Sequence, residues 1–240
     1  ETFAPWIQQI KDNRIEKDFF NIGFPYKQPG GDKIEGYEIR GYGSFKRKAT
    51  GTNSTTAAWI VDFSKNNNPQ DIKHVFFAES AYDIMAFYQA NKAKLQGELD
   101  KSVFVSIGGT FSNQQVAGIM NYYSHARAVD CFDNDIPGRI YGMRMVGVVE
   151  KVPLLINQHD KMIDVNYNGV THILDAETAN LHSLRPIIPF KREYGIEKAP
   201  AAFKDWNDVI QNKPSTIILS KNKYERDENL RERRTGGIKM

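Results

Sequence analysis

"HARAVDCFDNDIPGRIYGMRMVGVVEKV", His125 to Val152, is the stretch whose reading decides the fold. Its first eight residues form an apolar run of strand type. Two aspartates one residue apart, Asp133 and Asp135, follow with no basic residue between them. From Pro137 a helical pattern begins, and a proline in a first helical turn costs little because its missing N–H has no partner there anyway. A strand running into a helix is the repeating unit of a parallel α/β sheet.

Working outward, the unit recurs upstream. "HVFFAE" (His74 to Glu79) suits a strand buried on both faces. "SAYDIMAFYQANKAKLQGEL" follows, with Ile84, Phe87, Tyr88 and Leu95 at helical spacing. "SVFVSIGG" reads as a second strand ending in glycines, and "SNQQVAGIMNYY" as a helix with Ser112 as N-cap. Right-handed crossovers then place helices on both faces of the sheet. Residues 1–72 read as a small α+β unit. "APWIQQIKDNRIEKDFFNIGF" has a helical beginning, and "GYEIRGYGSFKRKATGT" and "AAWIVDFS" alternate like strands. The α/β part is expected over residues 73–215, with an insertion near 153–200 holding a hairpin around Asn168-Gly169. "AAFKDWNDVIQN" reads as a loop entering a helix. Residues 216–240 read as a basic, flexible tail with seven Lys or Arg against four acids. The chain starts at Glu1 rather than Met, which raises the expectation of a piece of something longer.

Bulk composition narrows the classes. The 240 residues are 40% hydrophobic and 25% charged, an ordinary globular balance. No apolar run approaches the roughly 18 residues of a membrane span. The single cysteine, Cys131, excludes an internal disulfide framework and a Cys-rich zinc site, which fits a cytoplasmic chain, and it reads as a small buried strand residue. A net charge of +3 is not that of a protein that coats nucleic acid. The cation run Lys46, Arg47, Lys48 in strand-like sequence reads either as solvated surface or as a phosphate contact.

In an open parallel sheet, functional groups gather at the carboxyl ends of the strands. Glu79, Asp133 and Asp135 fall there, Asp83 lies four residues past Glu79, and "KDWND" adds Asp205 and Asp208 beside Lys204. Alone, "DND" reads as turn or cap chemistry. On one sheet edge with Glu79 it reads as a cluster, because two carboxylates about 5 Å apart repel by about 3 kcal/mol at an effective dielectric near 20. With no histidine beside them, the all-oxygen donors suit Mg²⁺ or Mn²⁺, and such a site handles phosphate. The reading requires Glu79 and the aspartate pair to converge and to be left unpaired by protein cations.

In that order the motifs resemble those of the Toprim family. "FFAESAYDIMAF" resembles its strand-end glutamate with an aspartate four on, "SIGGTFSNQQ" its small-residue turn, and "CFDNDIPGR" its paired aspartates. "KDWNDVI" resembles the Lys-Asp loop that closes the site in bacterial replicative primases and phage primase-helicases. The resemblance implies an α/β fold, a Toprim-like parallel sheet flanked by helices and preceded by the small α+β basic subdomain. It is closest to the primase-like Toprim proteins of mobile elements and phages. Ser80 stands where the family usually has Gly, and Pro137 where Ala is frequent. The chain has no zinc module and no Walker A loop, so a separate helicase or template-binding module is implied as a partner.

The resemblance implies metal-dependent phosphoryl transfer on nucleic acid, foremost primer synthesis from NTPs on a DNA template. Glu79, Asp83, Asp133, Asp135 and Lys204 are its catalytic candidates. Glu79, Asp133, Asp135 and Asp205 are its candidate ligands for Mg²⁺ or Mn²⁺, with Glu79 either a ligand or a general acid/base. Lys204 would neutralise triphosphate charge. Arg40 and Lys46 take the places of groove-lining cations, and Arg47 and Lys48 join them on phosphates. Three alternatives stand beside this: a Toprim nuclease or topoisomerase fragment, a non-catalytic nucleic-acid-binding module of a replication complex, and an aspartyl-phosphate enzyme. The topoisomerase needs a tyrosine, and Tyr122 and Tyr123 read as packing residues. The last is disfavoured because its aspartate pair follows the first strand.

Overall fold

A computed structural model describes residues 1–11, 20–65 and 68–215. The basic tail expected over 216–240 lies outside them. In chain order the elements are β1 (Gln8–Lys11), β2 (Phe20–Lys27), β3 (Ile34–Arg40), β4 (Lys46–Lys48), β5 (Trp59–Asp62), β6 (His74–Ala78), α1 (Ala81–Ala90), α2 (Lys92–Leu95), β7 (Ser102–Ser106), α3 (Asn113–Tyr122), β8 (Arg127–Asp130), α4 (Ile136–Glu150), β9 (Leu155–His159), β10 (Met162–Tyr167), β11 (Val170–Asp175), β12 (Tyr194–Ile196) and α5 (Trp206–Gln211).

The central sheet has the order β12-β8-β6-β7-β5. The first four strands are parallel, and β5 closes the edge antiparallel to β7. The period-2 alternation of strands sorts the side chains onto two cores. Val75, Phe77, Val103 and Val105 pack with Val116 and Ile119 of α3 and Met143 and Val146 of α4. Phe76, Ala78, Phe104 and Val129 face the other way, against Ile84 and Phe87 of α1 and Trp206 of α5. Both faces are therefore covered, and this is why the strands read as unbroken apolar runs.

Three expectations need correction. The helical beginning near the N-terminus is a single turn at Ala4–Trp6, after which β1 pairs antiparallel with β2. Ladder pairing in a four-stranded sheet β1-β2-β3-β4 outweighs local propensity there. The strand β5, read with the N-terminal unit, is part of the central sheet, and Trp59 and Val61 are fully buried in it. The helix after β6 breaks at Asn91 into α1 and α2.

The insertion forms a separate sheet, β11-β10-β9, whose Asn168-Gly169 turn has φ of 51° and 81°. Two left-handed residues define the type I′ hairpin that Asn-Gly favours. Beyond it the chain returns as β12, parallel to β8, so residues from the far end of the insertion arrive beside the paired aspartates. Glu150 anchors that return, accepting from the Lys191 and Arg192 N–H groups and from the Tyr194 hydroxyl.

Candidate functional site

The acidic side chains gather at the carboxyl edge of the central sheet because each follows a parallel strand or caps the helix after it. Ser80 caps α1, and its hydroxyl donates to the Asp83 carboxylate. Ser80 therefore also orients Asp83. Asp83 is 9% exposed, and burial, aided by Asp205, pushes its carboxyl up to about 6. Asp135 caps α4, its Oδ1 accepting from Gly138 N–H at 3.0 Å. Asp205 caps α5, its Oδ1 accepting from Asp208 N–H at 2.7 Å. Turn and cap chemistry is thus present in both motifs, alongside the clustering.

Asp133 is the most perturbed of the group. It is 4% exposed, and its Oδ1 is buried with no hydrogen-bond partner. Burial, then the charges of Asp83 and Glu79, push its carboxyl up to about 8. Burial also raises Glu79, with Lys46 and Lys204 opposing and Asp135 and Asp205 adding to the rise. The five carboxylates Glu79, Asp83, Asp133, Asp135 and Asp205 thus share one electrostatic field.

The aspartates are not, however, left unpaired. Lys204 Nζ lies 3.2 Å from Asp133 Oδ2 and 3.2 Å from Asp135 Oδ2. Each attraction is about 5 kcal/mol at an effective dielectric near 20, against about 3 kcal/mol for the repulsion it relieves. Solvent screening reduces both, since Lys204 is about half exposed. The pair of carboxylates in turn raises the Lys204 pKa. The requirement that protein cations leave the pair free is overturned: a lysine sits between its two members. Among the described residues no three His, Cys, Asp or Glu side chains are arranged to hold a metal ion. The donor set still fits a hard divalent cation, being all carboxylate oxygen with one buried oxygen, Asp133 Oδ1, lacking a partner.

Two features of the site were invisible in sequence. Asn134, read only as a turn residue, holds the lysine loop. Its N–H donates to Lys204 O at 2.7 Å, and its side-chain amide donates to Ala199 O at 2.9 Å and Phe203 O at 2.8 Å. Beneath it, Lys198 Nζ pairs with buried Asp130 Oδ1 at 2.6 Å and donates to Phe132 O at 3.0 Å. Burial pushes the Asp130 carboxyl up and Lys198 pulls it back. No local signal marks a cation that arrives from 68 residues downstream. Arg139, the one cation close in sequence, donates instead to the carbonyls of Asn134 and Ala179.

The basic strand faces this edge with only part of its charge. Cross-strand partners share a face, and β4 pairs Lys48 with Glu38, Arg47 with Ile39 and Lys46 with Arg40. Lys46 and Lys48 therefore lie on the face of Glu38, and Arg47 lies on the other. Glu38, 1% exposed, fixes that face to the central sheet by accepting from Ser106 Oγ at 3.0 Å and Ala81 N–H at 3.4 Å. Arg40 does not join the free cations. Its guanidinium pairs with Glu38 Oε1 at 2.9 Å, lies 4.9 Å from the centre of the Tyr82 ring, and is 14% exposed. Lys48 is partly buried, which lowers its pKa against the pull of Glu38. Lys46 is the exposed cation whose charge acts on Glu79 and Asp83. Tyr122 and Tyr123 pack edge to face, and Tyr123 donates to Asp62, so both are packing residues as read.

The site is thus a mixed sheet with helices on both faces and acids at its carboxyl edge. Residues 76–168, less than half of the chain, match the model of the Toprim-like family. No curated protein and no solved structure matches the chain. A Toprim domain implies metal-dependent activity related to nucleic acid, and such domains typically bind divalent metal ions. Among the described residues no helix is long and apolar enough to cross a membrane.

Proposed function

We propose that the chain carries out metal-dependent phosphoryl transfer on nucleic acid, with primer synthesis from NTPs as the reaction. The observation that carries this is the single edge where Glu79, Asp83, Asp133 and Asp135 share a field that Lys46 also enters. Asp133 and Asp135 would hold Mg²⁺ or Mn²⁺, with Glu79 beside them, and the ion would neutralise phosphate charge and polarise the reacting oxygen. Asp205, whose Oδ1 caps α5, would join them through its charge, which acts on Glu79 and Asp83. Glu79, whose carboxyl burial raises, would exchange a proton with the attacking hydroxyl. Lys46 supports phosphate positioning, and Lys204 supplies a second ammonium at the acid pair. A DNA template, and a separate helicase or template-binding module, are the partners this reading needs.

One observation favours a second reading. Because Lys204 already bridges the pair, the chain could bind nucleic acid without catalysis. Labelled primer-template DNA incubated with NTPs and Mg²⁺ or Mn²⁺ separates the readings. Extension by the wild type, abolished in Asp135→Asn, supports synthesis. Shortening of duplex or single-stranded DNA supports a nuclease. Retention of DNA with neither product, unchanged by Asp135→Asn, supports the binding module.

A further inference from the structure

We infer that Lys204 is a displaceable internal counter-ion: its ammonium and a divalent cation compete for the Asp133/Asp135 pair, and Asn134 sets how tightly the lysine holds it. The inference rests on the metal reading above and adds a residue that works against the ion. Three observations carry it. The ammonium touches one oxygen of each aspartate at 3.2 Å, so it bridges the two carboxylates as a cation would. Asp133 keeps its other oxygen buried and without a partner, a donor the lysine leaves unused. The lysine's backbone is fixed independently of its side chain. Its carbonyl and those of Ala199 and Phe203 are hydrogen-bonded by Asn134, whereas the side chain is about half exposed.

The loop is further fixed from behind. Asp205 caps α5, Trp206 Nε1 donates to Glu197 O at 3.0 Å, and the Trp206 ring packs at 5.3 Å on Phe87 of α1. A fixed backbone with a water-accessible side chain allows the ammonium to swing out without unfolding anything. Once released it remains at the mouth of the site, where an anionic phosphate can accept it. Two cations on one carboxylate pair repel each other strongly at this range, so simultaneous full occupancy is disfavoured. In the absence of metal the lysine spares buried Asp133 an uncompensated charge.

The test is Mn²⁺ binding by titration calorimetry to the full chain, comparing wild type, Lys204→Met, Asn134→Ala and the double variant Asp133→Asn/Asp135→Asn. Lys204→Met is expected to bind Mn²⁺ at least tenfold more tightly, Asn134→Ala to move in the same direction by a smaller factor, and the double variant to lose binding. Lys204→Met is also expected to melt lower than wild type without metal and to recover with Mn²⁺. A purely structural lysine gives the drop without the recovery. A mutation-free arm covers a variant that fails to fold: acylation of Lys204 in the wild type, followed by mass spectrometry, is expected to speed up several-fold on adding Mg²⁺. Equal or weaker Mn²⁺ binding in Lys204→Met, with binding still lost in the double variant, overturns this inference and leaves the metal reading standing. So does Lys204 acylation that stays constant while the ion binds at the pair. Absence of binding to both wild type and Lys204→Met, or binding that survives the double variant, overturns the metal reading and this inference together.

Discussion

Replacing Lys198 by Met tests the foundation of the acidic edge. Asp130 ends β8, is 1% exposed, and has Lys198 Nζ at 2.6 Å as its counter-charge. Removing that ammonium leaves a buried carboxylate whose other oxygen already lacks a hydrogen bond. Breaking one side of a buried pair costs about 3–5 kcal/mol. A second route to the magnitude is the cost of protonating Asp130 instead. With an unfolded-state pKa near 3.9, holding the proton at pH 7 costs about 4 kcal/mol. The two estimates agree, and the second sets a ceiling. It also sets a pH dependence. In Lys198→Met the folded pKa of Asp130 lies above its unfolded value, so the folded state holds a proton that the unfolded state releases. Because burial already raises the Asp130 carboxyl in the wild type, about 4 kcal/mol is the most the deficit can reach; it is largest at neutral pH and shrinks on acidification by at most about 1.36 kcal/mol per unit. The assay is urea unfolding of wild type, Lys198→Met and Asp130→Asn/Lys198→Met at pH 7 and pH 5. The double variant should recover most of the loss at pH 7, since no buried charge remains. A deficit under 1 kcal/mol at pH 7, or one equal at both pH values, refutes the reasoning.

Three further outcomes are expected. Asp83 faces Ser80, Asp133, Asp205, Lys46 and Arg40, and its folded pKa of about 6 lies above the unfolded value. Its ionisation therefore removes stability as pH rises from about 4 to about 6, by about 3 kcal/mol in all, and Asp83→Asn should gain on wild type by about 2 kcal/mol between pH 4.5 and 7, read from urea unfolding. Gly138→Ala places a Cβ against the Asp133 backbone and should lower stability by about 1–3 kcal/mol, read as a fall in melting temperature, whereas an unchanged melting point would show that the turn is not tight. Lys46→Ala should reduce the salt dependence of single-stranded DNA binding by about one phosphate contact while Arg47→Ala leaves it intact, and equal losses from both would contradict the facing read from β4.

Much of the α/β part was legible because its signals are local. β6, β7 and β8 are buried on both faces, so their apolar runs are continuous. Ser112 and Asp135 cap helices through their own side chains, and the Asn168-Gly169 turn needs left-handed φ values that Asn and Gly tolerate. Glu79, Asp83, Asp133 and Asp135 could be placed on one edge because parallel strands aim their carboxyl ends the same way. The N-terminal helix failed for the converse reason: Gln8–Lys11 is held by β2, a partner that the local pattern does not contain.

By itself, then, the sequence determined which residues carry charge to the carboxyl edge and in what chain order, since strand and helix periodicity act over a few residues. Only the tertiary structure decided what meets those charges. Lys204 and Lys198 reach the aspartates across about 70 residues of chain, and the pairing of β3 with β4 turns Lys46 toward Glu79 and Arg47 away. Coulomb energies depend on separation in space, and separation in space is set by strand register and loop closure rather than by distance along the chain.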